Sequence, residues 1–274
     1  MLFLPLYNVT KTNFSFVTVR YEHNFEHAHY EHDRVDALAM SRLTFSPHVV
    51  DIYSFCGRTV LTEYANGPSL GIVFDKAKRH PLKRLEVARD LANGLSHVHY
   101  GKDGTEAHFV HFDINPANVV VMDKNTVRIN DFNIAKMIKR NSTSGEYCGI
   151  PYHHYPNAQW RSPEEANESN NLSIKADVFS LGHMLYRIIC SHEPWNKFEK
   201  IGRPSPAELT MKVKAGILPR IPEQVLQSNE PEIAAIREAM LMCYTVDPKK
   251  RPRSKDVATF LDDALTRLQM EQEE

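Results

Sequence analysis

Glycine is missing from the first 56 residues of this chain, and the earliest one in the sequence is Gly57. A phosphate-binding loop of the GxGxxG type depends on glycine, because a backbone without side chains lets its N–H groups approach phosphate oxygens closely. The sequence ahead of Gly57 therefore excludes a loop of this type.

Cysteine and long apolar runs are also scarce. The four cysteines form no CxxC pair, which excludes a zinc ribbon and a thioredoxin-type redox motif. So few thiols in a chain of 274 residues are typical of a reducing compartment. The apolar start at residues 1–7 is too short for a signal peptide or a membrane span, and no other window holds eighteen uncharged apolar residues. We expect a protein of the cytoplasm, or of the nucleus, that is neither secreted nor membrane-spanning.

An excess of charge of either sign is missing too, since 33 basic side chains stand against 34 acidic ones. The net charge of −1 gives no overall field that favours nucleic acid or an anionic membrane as a partner. The apolar content of 42% is that of an ordinary globular protein. The length fits one large domain or two lobes around a cleft.

The first 63 residues predict a small, β-rich unit. β-Branched and aromatic residues concentrate in three predicted strands, and an apolar period of 3.6 predicts one helix between the first two. The strands are 14–19, 49–55 and 58–63, and the helix is 34–43.

A linker at residues 64–68 separates this unit from a mainly helical remainder. Helices are predicted at 69–79, 82–100, 173–190, 206–215, 230–244 and 254–270, and a short β pair at 118–122 and 127–130. Residues 132–162 are predicted to be irregular, which in a compact domain is typical of a functional segment.

Three oxygen-bearing side chains follow the predicted elements in the middle of the chain. They are Asp113, Asn118 and Asp131, at the ends of short strands. Carboxylate and amide oxygens suit a hard cation such as Mg²⁺, and carboxylates can orient a hydroxyl nucleophile in phosphoryl transfer. The competing interpretation is that these residues only cap turns at strand ends.

Five motifs in order along the chain resemble those of the protein kinase family. His-x-Asp-x-x-x-x-Asn at 111–118 is similar to the catalytic loop, and Asp-Phe-Asn at 131–133 to the metal-binding Asp-Phe-Gly. Trp-Arg-Ser-Pro-Glu at 160–164 resembles the Ala-Pro-Glu element. Residues 175–182 resemble the start of the buried central helix, and residues 247–252 the late arginine segment.

This resemblance implies an α+β, two-lobed kinase-like fold over a single domain, 1–274. The small lobe would be partial at 1–63, the hinge would lie at 64–68, and the helical lobe would occupy 69–274. The implied activity is phosphoryl transfer from ATP, with Mg²⁺, to a protein hydroxyl, serine or threonine rather than tyrosine.

The resemblance also implies roles for individual residues. Asp113 would orient the substrate hydroxyl, while Asn118 and Asp131 would bind the metal ions. The implied nucleotide contacts are Thr62 at the back of the pocket and the linker backbone of Glu63, Tyr64 and Ala65. Asp177 would brace the catalytic loop, and Glu164 would pair with Arg251.

The small lobe departs from the family pattern. The glycine-rich loop is absent, and so is the lysine of Val-Ala-Ile-Lys. Either Arg20 or Val17 takes the place of that lysine, and Val17 lies nineteen residues before the acidic Asp36. Lys11 is a further candidate for this place. The competing interpretation is that Lys11 is a solvated residue in a turn.

Smaller departures fall in the catalytic loop and beside it. Phe112 replaces the arginine of His-Arg-Asp, which argues against control by loop phosphorylation through that residue. Asn115 replaces a lysine, and Asn133 replaces the glycine of Asp-Phe-Gly, where asparagine tolerates a left-handed backbone.

The missing glycine loop and lysine leave a rival interpretation open. The chain would then be a pseudokinase, a binding or scaffold module with weak or no nucleotide binding and a protein partner in place of a substrate. A third interpretation is an active kinase whose coding sequence begins further upstream. Other candidates are a histidine metal site around His23, His27, His29 and His32, and phosphorylation at Ser142, Thr143, Ser144 or Tyr147.

Overall fold

The computed structural model describes most of the chain. The described residues are 14–18, 27–44, 46–56, 59–77, 79–101, 104–123, 126–152, 158–196 and 202–273.

A three-stranded antiparallel sheet forms the small lobe. Its strands are β1 (Phe14–Thr18), β2 (Ile52–Cys56) and β3 (Thr59–Glu63), in the spatial order β1-β3-β2. The strands were all predicted, but the second begins three residues later than its pattern indicated. Val50 instead donates its N–H to the carbonyl of Ile129 in the other lobe, at 3.0 Å.

Helix α1 (His27–Leu43) packs beside this sheet and begins seven residues before the predicted start. Its first turns are polar, so the apolar period could not reveal them. An exposed ion pair one turn apart, Glu31 to Arg34 at 2.9 Å, lies on this polar part. The second half turns Ala37, Met40 and Leu43 into the core.

The helical lobe is built around α5 (Lys175–Cys190), which is buried along almost its whole length. The helices before it are α2 (Leu70–Ala77), α3 (Pro81–Tyr100) and α4 (Pro163–Ala166); after it come α6 (Pro206–Lys214), α7 (Glu223–Leu226), α8 (Pro231–Cys243) and α9 (Ser254–Glu273). The two four-residue helices α4 and α7 were not predicted, because one turn is too short to show a period.

Four short strands lie where the two lobes meet. They are β4 (Phe109–Val110), β5 (Val119–Val121), β6 (Val127–Ile129) and β7 (Lys136–Met137), with β5 paired to β6 and β4 to β7. Strand β7 lies inside the segment 132–162 that was predicted to be irregular. The pairs hold residues 111–118 and 130–133 side by side. The whole is the expected α+β, two-lobed fold, and no helix in the described residues is long and apolar enough to cross a membrane.

Candidate active site

Asp177 of the central helix α5 binds the backbone of the loop 111–118. Its carboxylate is 1% exposed and accepts the N–H of His111 at 2.6 Å and the N–H of Phe112 at 2.7 Å. Phe112 has a left-handed φ of 63°, an uncommon conformation for a large side chain. Two charge-assisted hydrogen bonds stabilise that backbone, so the bracing role expected of Asp177 is confirmed.

A buried histidine supports Asp177 in turn. His99 on α3 places Nε2 2.9 Å from Asp177 Oδ2 and Nδ1 2.8 Å from the hydroxyl of Ser254 on α9. The sequence analysis missed His99. The available signal was its position four residues after Leu95, on the face of the predicted helix that faces the core.

Asp113 and Asn118 lie in direct contact. The side-chain amide of Asn118 donates to Asp113 Oδ2 at 2.7 Å and to the Asp113 carbonyl at 2.9 Å. Because Nδ2 makes both bonds, Oδ1 is the atom of Asn118 that can bind a cation. A residue that was not predicted, Arg161, donates from Nη2 to Asp113 Oδ1 at 3.0 Å.

Asp131 directly follows β6 and also has a left-handed φ of 63°. Burial raises the pKa of its carboxyl, a hydrogen bond from the Asn133 backbone opposes this, and the charge of Asp113 adds to the rise. Burial lowers the pKa of His111, whose Nδ1 accepts the Asp113 N–H at 3.1 Å. A neutral imidazole protonated at Nε2 fits these contacts, since Nε2 lies 3.1 Å from the Asn130 carbonyl.

These residues fit a magnesium ion. Asp131 is costly to ionise beside Asp113, and a divalent cation would relieve both the burial and the repulsion. Among the described residues no group of three or more His, Cys, Asp or Glu side chains is close enough to hold a metal by itself. Mg²⁺ commonly keeps waters and binds substrate phosphates beside one or two protein carboxylates.

Asp36 reaches the same place from helix α1. Its Oδ1 accepts the N–H of Phe132 at 2.6 Å. Burial raises its pKa to about 6, with smaller contributions from the charges of Asp131 and Asp33. The resemblance implied that Asp36 pairs with the residue in place of the missing lysine. In the structure Asp36 binds the backbone N–H of Phe132, next to Asp131.

The candidates for that basic partner have different positions in the structure. Val17 lies in β1, with Val60 of β3 as its Cα partner. Arg20 and Lys11 lie outside the described residues, so the choice among the three stays a prediction.

Changing Asp36 to asparagine is expected to stabilise the fold at pH 8 and to change it little at pH 4. A raised pKa means that the folded state holds the Asp36 proton more tightly than the unfolded state does. The protonated Asp36 therefore contributes stability that is fully present below pH 3.8 and is lost as the pH rises through about 6. The neutral amide removes that loss, which at pH 8 is worth about 3 kcal/mol for a pKa raised from 3.8 to about 6. Urea unfolding at both values measures it, with the exposed Asp263→Asn on α9 as the control. An equal gain at both pH values would contradict the assignment.

The predicted nucleotide-contact residues follow one another at the end of β3 and the start of the linker. Thr62 is buried, Tyr64 is exposed and Ala65 is half-buried. The side chain of Glu63 binds Arg128 of β6 and accepts the Asp51 N–H at 2.8 Å. Glu63 therefore links the lobes through its side chain, and the adenine contacts of Thr62, Glu63 and Ala65 stay predictions.

The segment 160–165 sits against the catalytic loop. Ser162 and Glu165 form a capping box at the start of α4. Burial raises the pKa of Glu165 to about 7, although the charge of Arg161 opposes this. The expected ion pair of Glu164 and Arg251 is confirmed at 2.7 Å.

The remaining candidates are hydroxyl side chains in an exposed turn and a group of histidines. Asn141 caps an exposed turn that holds Ser142, Thr143 and Ser144, and Tyr147 is 49% exposed after it. His27, His29 and His32 lie on α1, and His23 is outside the described residues. Phosphorylation and histidine metal binding stay predictions.

Comparison with known proteins finds a matching family model and several proteins of similar sequence. A family model described as protein tyrosine and serine/threonine kinase matches residues 11–261. MDIS1-interacting receptor like kinase 2 of Arabidopsis thaliana is 27% identical over 77% of this chain and 20% of its own length. Serine/threonine-protein kinase CTR1 of the same plant is 28% identical over 74% of this chain and 22% of its own. Human tyrosine-protein kinase FRK is 25% identical over 79% and 40%. The chain thus spans less than half the length of these relatives.

Proposed function

The chain belongs to the family of protein tyrosine and serine/threonine kinases, and from this we propose that it transfers a phosphoryl group from ATP to a protein hydroxyl. The observation that carries the proposal is the contact of Asp113 with Asn118, 2.7 Å apart, beside the half-buried carboxyl of Asp131. Catalysis in such a site consists of placement and charge neutralisation, and these three side chains offer both.

Each residue contributes a separate part. Asp113, fixed through both oxygens, would orient the attacking hydroxyl and accept its proton. Asn118 Oδ1 and the Asp131 carboxylate would hold Mg²⁺. ATP supplies the phosphoryl group, and Mg²⁺ neutralises the charge of the phosphates. Thr62 and the backbone of Glu63 and Ala65 would line the adenine pocket.

Serine or threonine is the proposed acceptor. The names of several relatives specify serine/threonine kinases, and one specifies a tyrosine kinase. We further propose a cytoplasmic or nuclear protein, whose partners are protein substrates and neither nucleic acid nor membrane.

The experiment is a pair of measurements on the wild type and on Asp113→Asn. Mg²⁺ and millimolar ATP are expected to raise the melting temperature of both, because ligands that bind only the native state stabilise it. Phosphate transfer to a serine/threonine peptide library is expected for the wild type, with a loss of about a hundredfold or more in the variant. Equal transfer by both proteins would refute the proposed role of Asp113.

A second function is favoured by two observations in the small lobe. Residues 1–56 contain no glycine, and Asp36 accepts the N–H of Phe132. A pseudokinase that binds a protein partner would show no melting shift with Mg²⁺ and ATP. It would also show no transfer, so the same measurements separate the two functions.

A further inference from the structure

Arg161 lies between the catalytic loop and helix α4, where it is 8% exposed. One arm of its guanidinium donates from Nη2 to Asp113 Oδ1 at 3.0 Å. The other arm, Nη1, donates to the Phe112 carbonyl and lies 3.6 Å from Glu165 Oε1. A single arginine therefore binds both the backbone and the carboxylate of adjacent catalytic-loop residues.

The loop itself brings no positive charge to Asp113. Phe112 is buried and apolar. The side chain of Asn115 is used within the turn, where Nδ2 donates to the Asp113 carbonyl at 3.0 Å and Oδ1 accepts the Ala117 N–H at 2.8 Å. The positive charge beside Asp113 is instead that of Arg161, which lies 48 residues further along the chain.

We propose that Arg161 is a positioning residue that fixes Asp113 for transfer and supplies the positive charge beside it. Arg161 holds Oδ1 while Asn118 holds Oδ2, so the plane of the carboxylate is set from both sides. A preset carboxylate needs no reorganisation when the hydroxyl arrives, and a fixed charge next to it favours the charge that develops on the phosphoryl group. The effect on turnover rests on the proposed kinase function; the hold on Asp113 does not.

The hold on Asp113 is tested without any activity. Unfolding of Arg161→Gln, Asp113→Ala and the double variant forms a double-mutant cycle. Residues in contact are expected to deviate from additivity by about three- to tenfold in the unfolding equilibrium constant. A matched control is Arg237→Gln on α8, which removes a half-buried guanidinium bound to the Val225 and Ser228 carbonyls, far from Asp113. It is expected to be additive with Asp113→Ala.

The effect on turnover is tested by charge transplantation. Arg161→Gln is expected to lower kcat by about ten- to a hundredfold with little change in the KM for ATP. Arg161→Lys is expected to retain part of the rate. Adding Asn115→Lys to Arg161→Gln is expected to restore several-fold, because the Asn115 side chain already reaches the Asp113 backbone. A merely structural Arg161 would not be rescued by a charge placed at residue 115.

The outcomes separate this proposal from the kinase proposal. An additive cycle, or an active enzyme whose kcat is unchanged in Arg161→Gln, overturns the role of Arg161. A wild type without phosphate transfer refutes the kinase function, and the cycle then decides by itself whether Arg161 holds Asp113. Recovery of the rate by Asn115→Lys would support both the kinase function and the positioning role of Arg161.

Discussion

Changing Asp131 to asparagine is expected to lower Mg²⁺-dependent phosphate transfer by about a hundredfold or more, while leaving the protein at least as stable as the wild type. The loss follows because the amide carries no charge to hold the cation that neutralises the phosphates. The stability follows because burial and the charge of Asp113 already disfavour the ionised Asp131. An inactive variant with an unchanged or higher melting temperature separates loss of chemistry from loss of folding.

The matched control lies at the other end of the same β pair. Asp123→Asn changes an exposed carboxylate in the turn between β5 and β6, and it is expected to alter neither transfer nor melting. The pH dependence gives a second readout: protons compete with the cation for a carboxyl whose pKa is raised, so the Mg²⁺ needed for half-maximal rate is expected to rise as the pH falls. Transfer by Asp131→Asn equal to that of the control would contradict the metal role.

Strand β6, which directly precedes Asn130 and Asp131, is bound to the small lobe through its backbone and through the side chain of Arg128. Ile129 donates its N–H to the His48 carbonyl at 2.9 Å and accepts the Val50 N–H at 3.0 Å. Arg128 pairs with Glu63 at the end of β3. Asp36 adds a further contact just beyond Asp131, where it accepts the Phe132 N–H. The placement of the small lobe therefore fixes the backbone that holds the candidate metal ligand.

The sequence predicted the parts of the site that are local. Asp113 and Asn118 share one short loop, and the motif around Asp177 placed that carboxylate at the start of a buried helix. The resemblance to protein kinase motifs located these residues, because each motif lies within one short stretch of the chain.

The contacts that were missed join distant parts of the chain. Arg161 meets Asp113 across 48 residues, His99 meets Asp177 across 78, and Arg128 meets Glu63 across 65. A single polar residue in a motif does not reveal a partner so far away, since the pairing depends on how the helices and strands pack. The early turns of α1 were missed for another reason: a solvent-exposed helix start carries no apolar period.

A second large effect, on stability, is expected from substituting Arg251, which is buried and whose three guanidinium nitrogens all donate hydrogen bonds. It forms two hydrogen bonds with Glu164, at 2.7 and 3.1 Å, and its remaining N–H groups bind the carbonyls of Thr245, Lys175 and Val246. Its guanidinium also lies 4.9 Å from the centre of the Phe179 ring. Arg251→Ala leaves a half-buried charge and several carbonyls without partners, so we expect a loss of about 3–5 kcal/mol in the free energy of unfolding.

A neighbouring arginine offers the comparison that decides this. Arg253 pairs with Asp256 at 2.7 Å, but its side chain is 51% exposed, and removing such a pair costs about 1 kcal/mol or less. Glu164→Gln keeps the shape of the buried pair and is expected to fall between the two, at about 1–3 kcal/mol, which gives a measurable value if Arg251→Ala does not fold. Urea unfolding should therefore rank the variants Arg251→Ala, Glu164→Gln and Arg253→Ala in order of decreasing loss. A loss in Glu164→Gln no larger than in Arg253→Ala would mean that water, and not the fold, solvates the Arg251 pair.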